Sequence, residues 1–312
     1  MTEAVGLVHR VHGRVVGRAR EIELVVAALA ADRHVLLEGP PGTGKSTLLR
    51  AVASELGLGF EFVEGNAELT PARLVGHFDP ARVLTDGYDP DVFVDGPLVA
   101  AMRDGSLLYV EEINRIPEET LNVLITVMSE RELHVPRLGR VAAAHGFRLV
   151  AAMNPFDAIG TARISSAVYD RVCRLSVDYQ DAPDEAHIVR TALPAATVDE
   201  AWLGKVVQVV RGTRTHGDVR IGSSVRGAID TVAVATSLAE LRGARPTDAA
   251  VGLDAALVAL SGRLRLREGC NRRAEDIVTE LWNEVFAVPE DGGGEQGGEG
   301  KAPAPTGAVS SN

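Results

Sequence analysis

His34-Val35-Leu36-Leu37-Glu38-Gly39-Pro40-Pro41-Gly42-Thr43-Gly44-Lys45-Ser46 is the stretch that decides the fold. The apolar run at its start reads as a buried strand. The glycine-rich segment that follows matches G-x-x-x-x-G-K-[ST] in full, and Ser46 to Leu56 continues with a helical pattern. Strand, loop and helix in that order form a phosphate cradle: the glycines let the backbone curl so that its N–H groups point at phosphate oxygens. The helix that starts there adds its positive end. Lys45 is expected to reach the β- and γ-phosphates of ATP, and the Ser46 hydroxyl to bind Mg²⁺. The expected nucleotide-binding residues are therefore Gly39, Pro40, Pro41, Gly42, Thr43, Gly44, Lys45, Ser46 and the next helical position, Thr47.

Outward from the loop, the chain alternates strands and helices. Glu21–Ala31 reads as an amphipathic helix, and Phe60–Val63 as the second strand. Leu107-Leu108-Tyr109-Val110 is a buried-type strand that delivers Glu111 and Glu112 at its end. In a nucleotide-hydrolysing site these are the complementary half: Glu111 is expected to hold Mg²⁺ through water, and Glu112 to be the base that orients and deprotonates the attacking water. Pro117 opens a helix that runs to about Arg131. Phe147–Met153 and Val172–Val177 complete five strands, which implies an α/β fold with a parallel sheet flanked by helices. Two segments break the rhythm: 83–95, rich in Asp and Gly, and 132–141, which reads as a hairpin turning near Leu138-Gly139.

Beyond Asp181 the strand signal stops. Pro183–Leu193, Val198–Arg214, Ser223–Leu241, Thr247–Leu264 and Arg272–Phe286 all carry helical patterns. The expected organisation is a nucleotide-binding domain over 1–181, a smaller all-helical lid over 182–289 and a disordered tail over 290–312. That tail has seven glycines and two prolines but no Leu, Ile or aromatic residue, too little apolar surface to order it.

The 312 residues carry 32 basic and 43 acidic side chains, a net charge of −11. That balance argues against a broad nucleic-acid surface. Two cysteines without a ligand cluster fit a reducing compartment. The N-terminus lacks a secretory pattern, and no stretch approaches the ~20 apolar residues of a membrane span, so a cytoplasmic protein without membrane contact is expected. Eight scattered histidines offer no zinc site. Asp86, Asp89, Asp91 and Asp95 miss the calcium-loop spacing and read as a solvated loop. Ser165-Ser166 and Ser223-Ser224 lack the context of a nucleophile, and Trp202 and Trp282 read as core.

With these residues in place, the chain resembles the MoxR-type AAA+ ATPases over about residues 10–288. The likeness rests on Val15-Val16-Gly17-Arg18, the 39–46 loop, Asp95-Gly96-Pro97-Leu98, Glu111-Glu112-Ile113-Asn114-Arg115, Val127-Met128-Ser129-Glu130-Arg131, Met153-Asn154-Pro155, Gly160-Thr161 and Asp170-Arg171. Each is weak alone; their order is specific. The resemblance implies that Asn154 helps position the water, that Arg171 is an arginine finger serving the neighbouring subunit's ATP, and that Arg226 is a lid arginine touching the nucleotide. Arg163 competes with Arg171 in a poorer register, and Arg115 is open between an interface and a local salt bridge.

The same resemblance implies a homo-oligomeric, hexameric ring that remodels or matures a protein client, often one with a von Willebrand factor A domain. The 83–95 and 132–141 segments would be inserted hairpins that engage it. Three features depart from the family: Glu111 where Asp is usual, Arg163-Ile164-Ser165-Ser166 without the expected prolines and acid, and the acidic loop. Glu111 keeps open a slow or non-hydrolysing nucleotide-gated scaffold; a nucleotide-driven subunit of a restriction system is the remaining alternative.

Overall fold

The computed structural model describes residues 3–155, 165–196 and 198–287. Five parallel strands form the central sheet: β1 (His34–Glu38), β2 (Phe60–Glu64), β3 (Leu107–Glu111), β4 (Arg148–Met153) and β5 (Val172–Ser176). Their spatial order is β2-β3-β4-β1-β5. The predicted strands are thus all present and all in one sheet.

Side-chain alternation divides this sheet between two cores. Leu36, Leu108, Val110, Leu149 and Ala151 face one side, where they meet helices Pro97–Asp104 and Glu118–Glu130. Val35, Leu37, Leu107, Tyr109, Val150 and Ala152 face the other, against helices Glu3–His12, Ala19–Ala30 and Lys45–Leu56. A parallel strand buried on both faces reads as a continuous apolar run, as Val35-Leu36-Leu37 does. Leu36 and Leu37 are fully buried on opposite sides, each contributing roughly 2 kcal/mol by removal from water.

The helical region has a core of its own, built by helices Ala182–Ala192, Glu200–Thr215, Val225–Arg242, Ala249–Leu260 and Ala274–Phe286. Trp202 and Trp282 lie within it, as expected. One expectation is corrected here: the region is not all-helical. Val219–Ile221 and Arg265–Leu266 pair as a short antiparallel ribbon. Strands of two or three residues are too short to show a period.

The two interruptions also resolve differently. Glu132–Val135 and Gly139–Ala142 form the expected hairpin, turning through residues 136–138. The segment 83–95 is not a hairpin by itself. Phe93–Asp95 pairs with Gly76–Phe78 upstream, and helix Pro80–Asp86 fills the connection. Asp79 explains that helix, because its carboxylate caps the Ala81 and Arg82 amides. The tail at 290–312 and the Gly160-Thr161 and Arg163 positions lie outside the described residues. Both cysteines are free thiols. Among the described residues, no helix is long and apolar enough to cross a membrane, and no cluster of three or more His, Cys, Asp or Glu is placed to hold a metal.

Candidate functional site

In an open α/β sheet, ligands bind outside the carboxyl ends of the strands where the strand order reverses. Here β1 ends at that point, between β4 and β5, and the glycine loop begins immediately after it. Gly42 and Gly44 take φ of 74° and 81°, the left-handed region that L side chains avoid. The space is as restrictive as the dihedral: a Cβ on Gly42 would lie 2.3 Å from the Ser224 hydroxyl. On Gly39 it would lie 1.9 Å from the Val177 carbonyl.

Lys45 points back into this loop. Its ammonium donates to the Gly39 carbonyl at 2.9 Å and the Pro40 carbonyl at 2.8 Å. Burial pulls its pKa down to about 8, with Glu111 opposing and Arg18 and Arg226 reinforcing the shift. A buried cation bonded to neutral carbonyls, with its nearby carboxylates too weak to offset its burial, is poised to gain from an anion.

The acid strand ends beside the loop. The Ser46 hydroxyl lies 3.3 Å and 3.4 Å from the two Glu111 carboxylate oxygens. Both oxygens of the longer Glu111 side chain thus stand within reach of the hydroxyl. Tyr109, two residues earlier and on the same face of β3, adds its phenol at 3.1 Å from Ser46. Burial raises the Tyr109 pKa, which keeps the phenol protonated. Hydroxyl and carboxylate oxygens facing one another beside a phosphate cradle fit a hard cation such as Mg²⁺.

Glu112 follows with φ of 52°, a sparsely populated conformation for a non-glycine residue. Its carboxylate pairs with Arg115 at 3.0 Å. The structure thus places Arg115 in the local salt bridge that the sequence left as one of two readings. Gly65 makes room for the turn, since a Cβ there would strike the Glu112 carbonyl at 2.4 Å.

A cavity of about 300 Å³ leads away from the loop. Val15, Val16, Gly42, Gly44, Thr47, Ile188 and Arg226 line it, so the N-terminal segment, the phosphate loop and the helical region share one cleft. Arg226 opens helix Val225–Arg242 and is exposed there. Arg18, the last residue of the Val15-Val16-Gly17-Arg18 motif, braces the loop. Its buried guanidinium donates to the Thr43 carbonyl at 3.0 Å, to the Asp178 carbonyl, and pairs with Glu21 at 3.1 Å. The loop is thereby tied to the chain that leaves β5.

Asn154 and Pro155 lie at the end of β4 and line a second cavity of about 600 Å³ with Gly39, Pro40 and Pro41. Arg171 lies elsewhere. It precedes β5, at the edge of the sheet where His34 pairs with Val172, whereas Glu38 and the loop are at the opposite edge. A five-residue strand separates the two edges by roughly 13–16 Å. Arg171 is held there by the Ser129 hydroxyl and, at 2.8 Å, by the Ala167 carbonyl. It therefore does not join the phosphate site of its own chain.

Comparison with known proteins bears on the fold and the family. Residues 34–172 match the family described as AAA domain (dynein-related subfamily). An uncharacterised protein of Staphylococcus epidermidis is 31% identical over 218 residues, covering 67% of this chain and 81% of that protein. One from Staphylococcus saprophyticus is 30% identical over 211 residues, covering 66% and 79%. Among solved structures, the Thermotoga maritima RuvB Holliday junction branch migration motor aligns with a TM-score of 0.52 at 19% identity, covering 78% of this chain and 70% of that one. NtrX from Brucella abortus in complex with ADP aligns with a TM-score of 0.52 at 18% identity, covering 72% and 51%. At such identities the two solved structures bear on the fold alone.

Proposed function

The chain belongs to the AAA+ ATPases and hydrolyses ATP, and from that premise we propose that it is a MoxR-type member that works as a head-to-tail ring on a protein client. The observation that carries this reading is the division of the machinery. Ser46 and Glu111 meet at one edge of the sheet, while Arg171 stands at the other. A guanidinium so placed acts on a neighbour's phosphates or not at all. Head-to-tail contacts of this kind close into rings when the rotation permits, and a hexamer is the expected size.

In the proposed mechanism Lys45 and the loop amides hold the phosphates, and Arg226 closes the cleft from the helical region. Ser46 and Glu111 would hold Mg²⁺, which when bound neutralises charge on the phosphate oxygens. Glu112 takes the proton of the attacking water once its carboxylate turns from Arg115. Asn154, at the end of the adjacent strand, orients that water. Arg171 of the neighbour stabilises the phosphoryl oxygens as charge develops.

The client-facing surface is assigned to the two insertions, which touch: the Arg137 guanidinium lies 3.7 Å from the Tyr88 ring centroid. Leu84 stands 88% exposed between them and solvent, an apolar side chain offered to a partner. A von Willebrand factor A domain protein is the family expectation for that partner.

Steady-state phosphate release tests the core of the proposal. Glu112→Gln should lower kcat at least about a hundredfold while ATP still binds, as loss of a general base does. Equal rates for wild type and variant would overturn the assigned mechanism. The Glu112→Gln chain should also trap its client from a lysate of the source cells. Leu84→Asp in that background should release a von Willebrand factor A domain protein without changing ATP binding; unchanged capture would move the client surface elsewhere.

A further inference from the structure

Glu38 is the last residue of β1 and a carboxylate only 3% exposed. A buried charge of this kind needs partners. It has two, and both come from the segment that carries Arg171. Tyr169 donates its phenol to Glu38 Oε1 at 2.8 Å, and the Arg174 guanidinium pairs with Oε2 at 2.5 Å. Tyr169 is two residues before Arg171 and Arg174 is three after it. Burial and the bond to Glu38 raise the Tyr169 pKa to about 12, so the phenol stays a donor.

The next residue toward the loop is equally constrained. The Gly39 amide donates to the Met153 carbonyl at 3.1 Å, and its own carbonyl accepts from Lys45 at 2.9 Å. Val177 donates to the Glu38 carbonyl at 2.7 Å. Helix Ser166–Tyr169 then passes the constraint on, because the Ala167 carbonyl accepts from Arg171. Three hydrogen bonds joined by short stretches of backbone thus connect the Lys45 ammonium to Gly39, Glu38 to Tyr169, and the Ala167 carbonyl to Arg171.

We propose that Glu38 and Tyr169 are positioning residues that couple the phosphate loop of one subunit to the arginine it presents to the next. Phosphate oxygens compete with the Gly39 carbonyl for Lys45, and the Glu38–Gly39 peptide bears directly on the bond to Tyr169. The coupling makes hydrolysis in one pocket depend on occupancy of the neighbouring subunit. It rests on Arg171 acting in trans, as set out above.

The experiment compares phosphate release by the full chain bearing Tyr169→Phe, Arg171→Ala and both. Tyr169→Phe should lower kcat about tenfold, the loss of one hydrogen bond to a charged group, with KM moved less than about twofold. Its Hill coefficient for ATP should fall to about 1. The double variant should be no slower than Arg171→Ala, since Tyr169 acts through that arginine. A double variant slower by the full Tyr169→Phe factor would show a merely structural role and overturn the coupling. Glu38→Gln keeps an oxygen for Tyr169 but loses the Arg174 pair; it should show the same non-additivity, and full additivity there too counts against the proposal. Mixing Arg171→Ala with Glu112→Gln chains separates the two levels. Recovered activity with additive double variants sinks the coupling alone, while no recovery sinks the trans finger and the coupling together.

Discussion

Lys45 shows how one side chain can set the conditions under which the protein works. Burial lowers its pKa to about 8, so above that pH the folded chain increasingly holds a neutral amine. Bound phosphate favours the ammonium and raises the pKa again. ATP affinity is therefore expected to be constant below about pH 8 and to fall by up to about tenfold per unit above it. Calorimetric titrations in buffers of different ionisation enthalpy should detect proton uptake near pH 8.5; identical enthalpies would contradict the assignment. Lys45→Ala should abolish binding at every pH. Gly42 makes a second point at this scale. Gly42→Ala meets both an unfavourable left-handed dihedral and the Ser224 hydroxyl, and should cost about 1–2 kcal/mol from the dihedral alone. Ser224→Gly should recover only the steric remainder, as denaturant unfolding would show.

The strands, the glycine loop and the acid pair were legible in the sequence because each is continuous in it. Val35-Leu36-Leu37 and Leu107-Leu108-Tyr109-Val110 are apolar runs, and their ends name the site. Features built from distant pieces were not legible. The partner of Phe93–Asp95 is Gly76–Phe78, and the Arg174 and Tyr169 partners of Glu38 lie more than a hundred residues away. Tyr109 carried a usable signal, since alternation puts it on the same face as Glu111. His34 is another such case. It opens β1 but accepts the Leu149 amide of β4 at 2.9 Å through Nδ1, and burial lowers its pKa to about 4. The folded chain keeps this imidazole neutral, while the unfolded chain takes up a proton near pH 6.5. The associated stability is present above about pH 6.5 and is lost as pH falls toward 4, at about 1.4 kcal/mol per unit. His34→Asn, which keeps an acceptor for Leu149, should flatten that slope in unfolding curves at pH 7, 6 and 5; an unchanged slope would assign it to other groups.

At the scale of the molecule, three cores are distributed unequally: two share the sheet, and the third belongs to the helical region alone. Both tryptophans lie in that third core, so their fluorescence reports its unfolding while far-ultraviolet circular dichroism reports the whole. Without nucleotide the fluorescence transition is expected to separate from the sheet's, and ATP bound in the cleft that both parts line should bring the two together. Coincident transitions in the absence of ATP would show one cooperative unit instead. The contact of Ser224 with the glycine loop carries a consequence for timing. A serine hydroxyl 2.3 Å from where a Gly42 Cβ would lie leaves little slack between the two parts. If spent nucleotide leaves through that seam, turnover is paced by how often the seam opens, and kcat should decline as solvent viscosity rises.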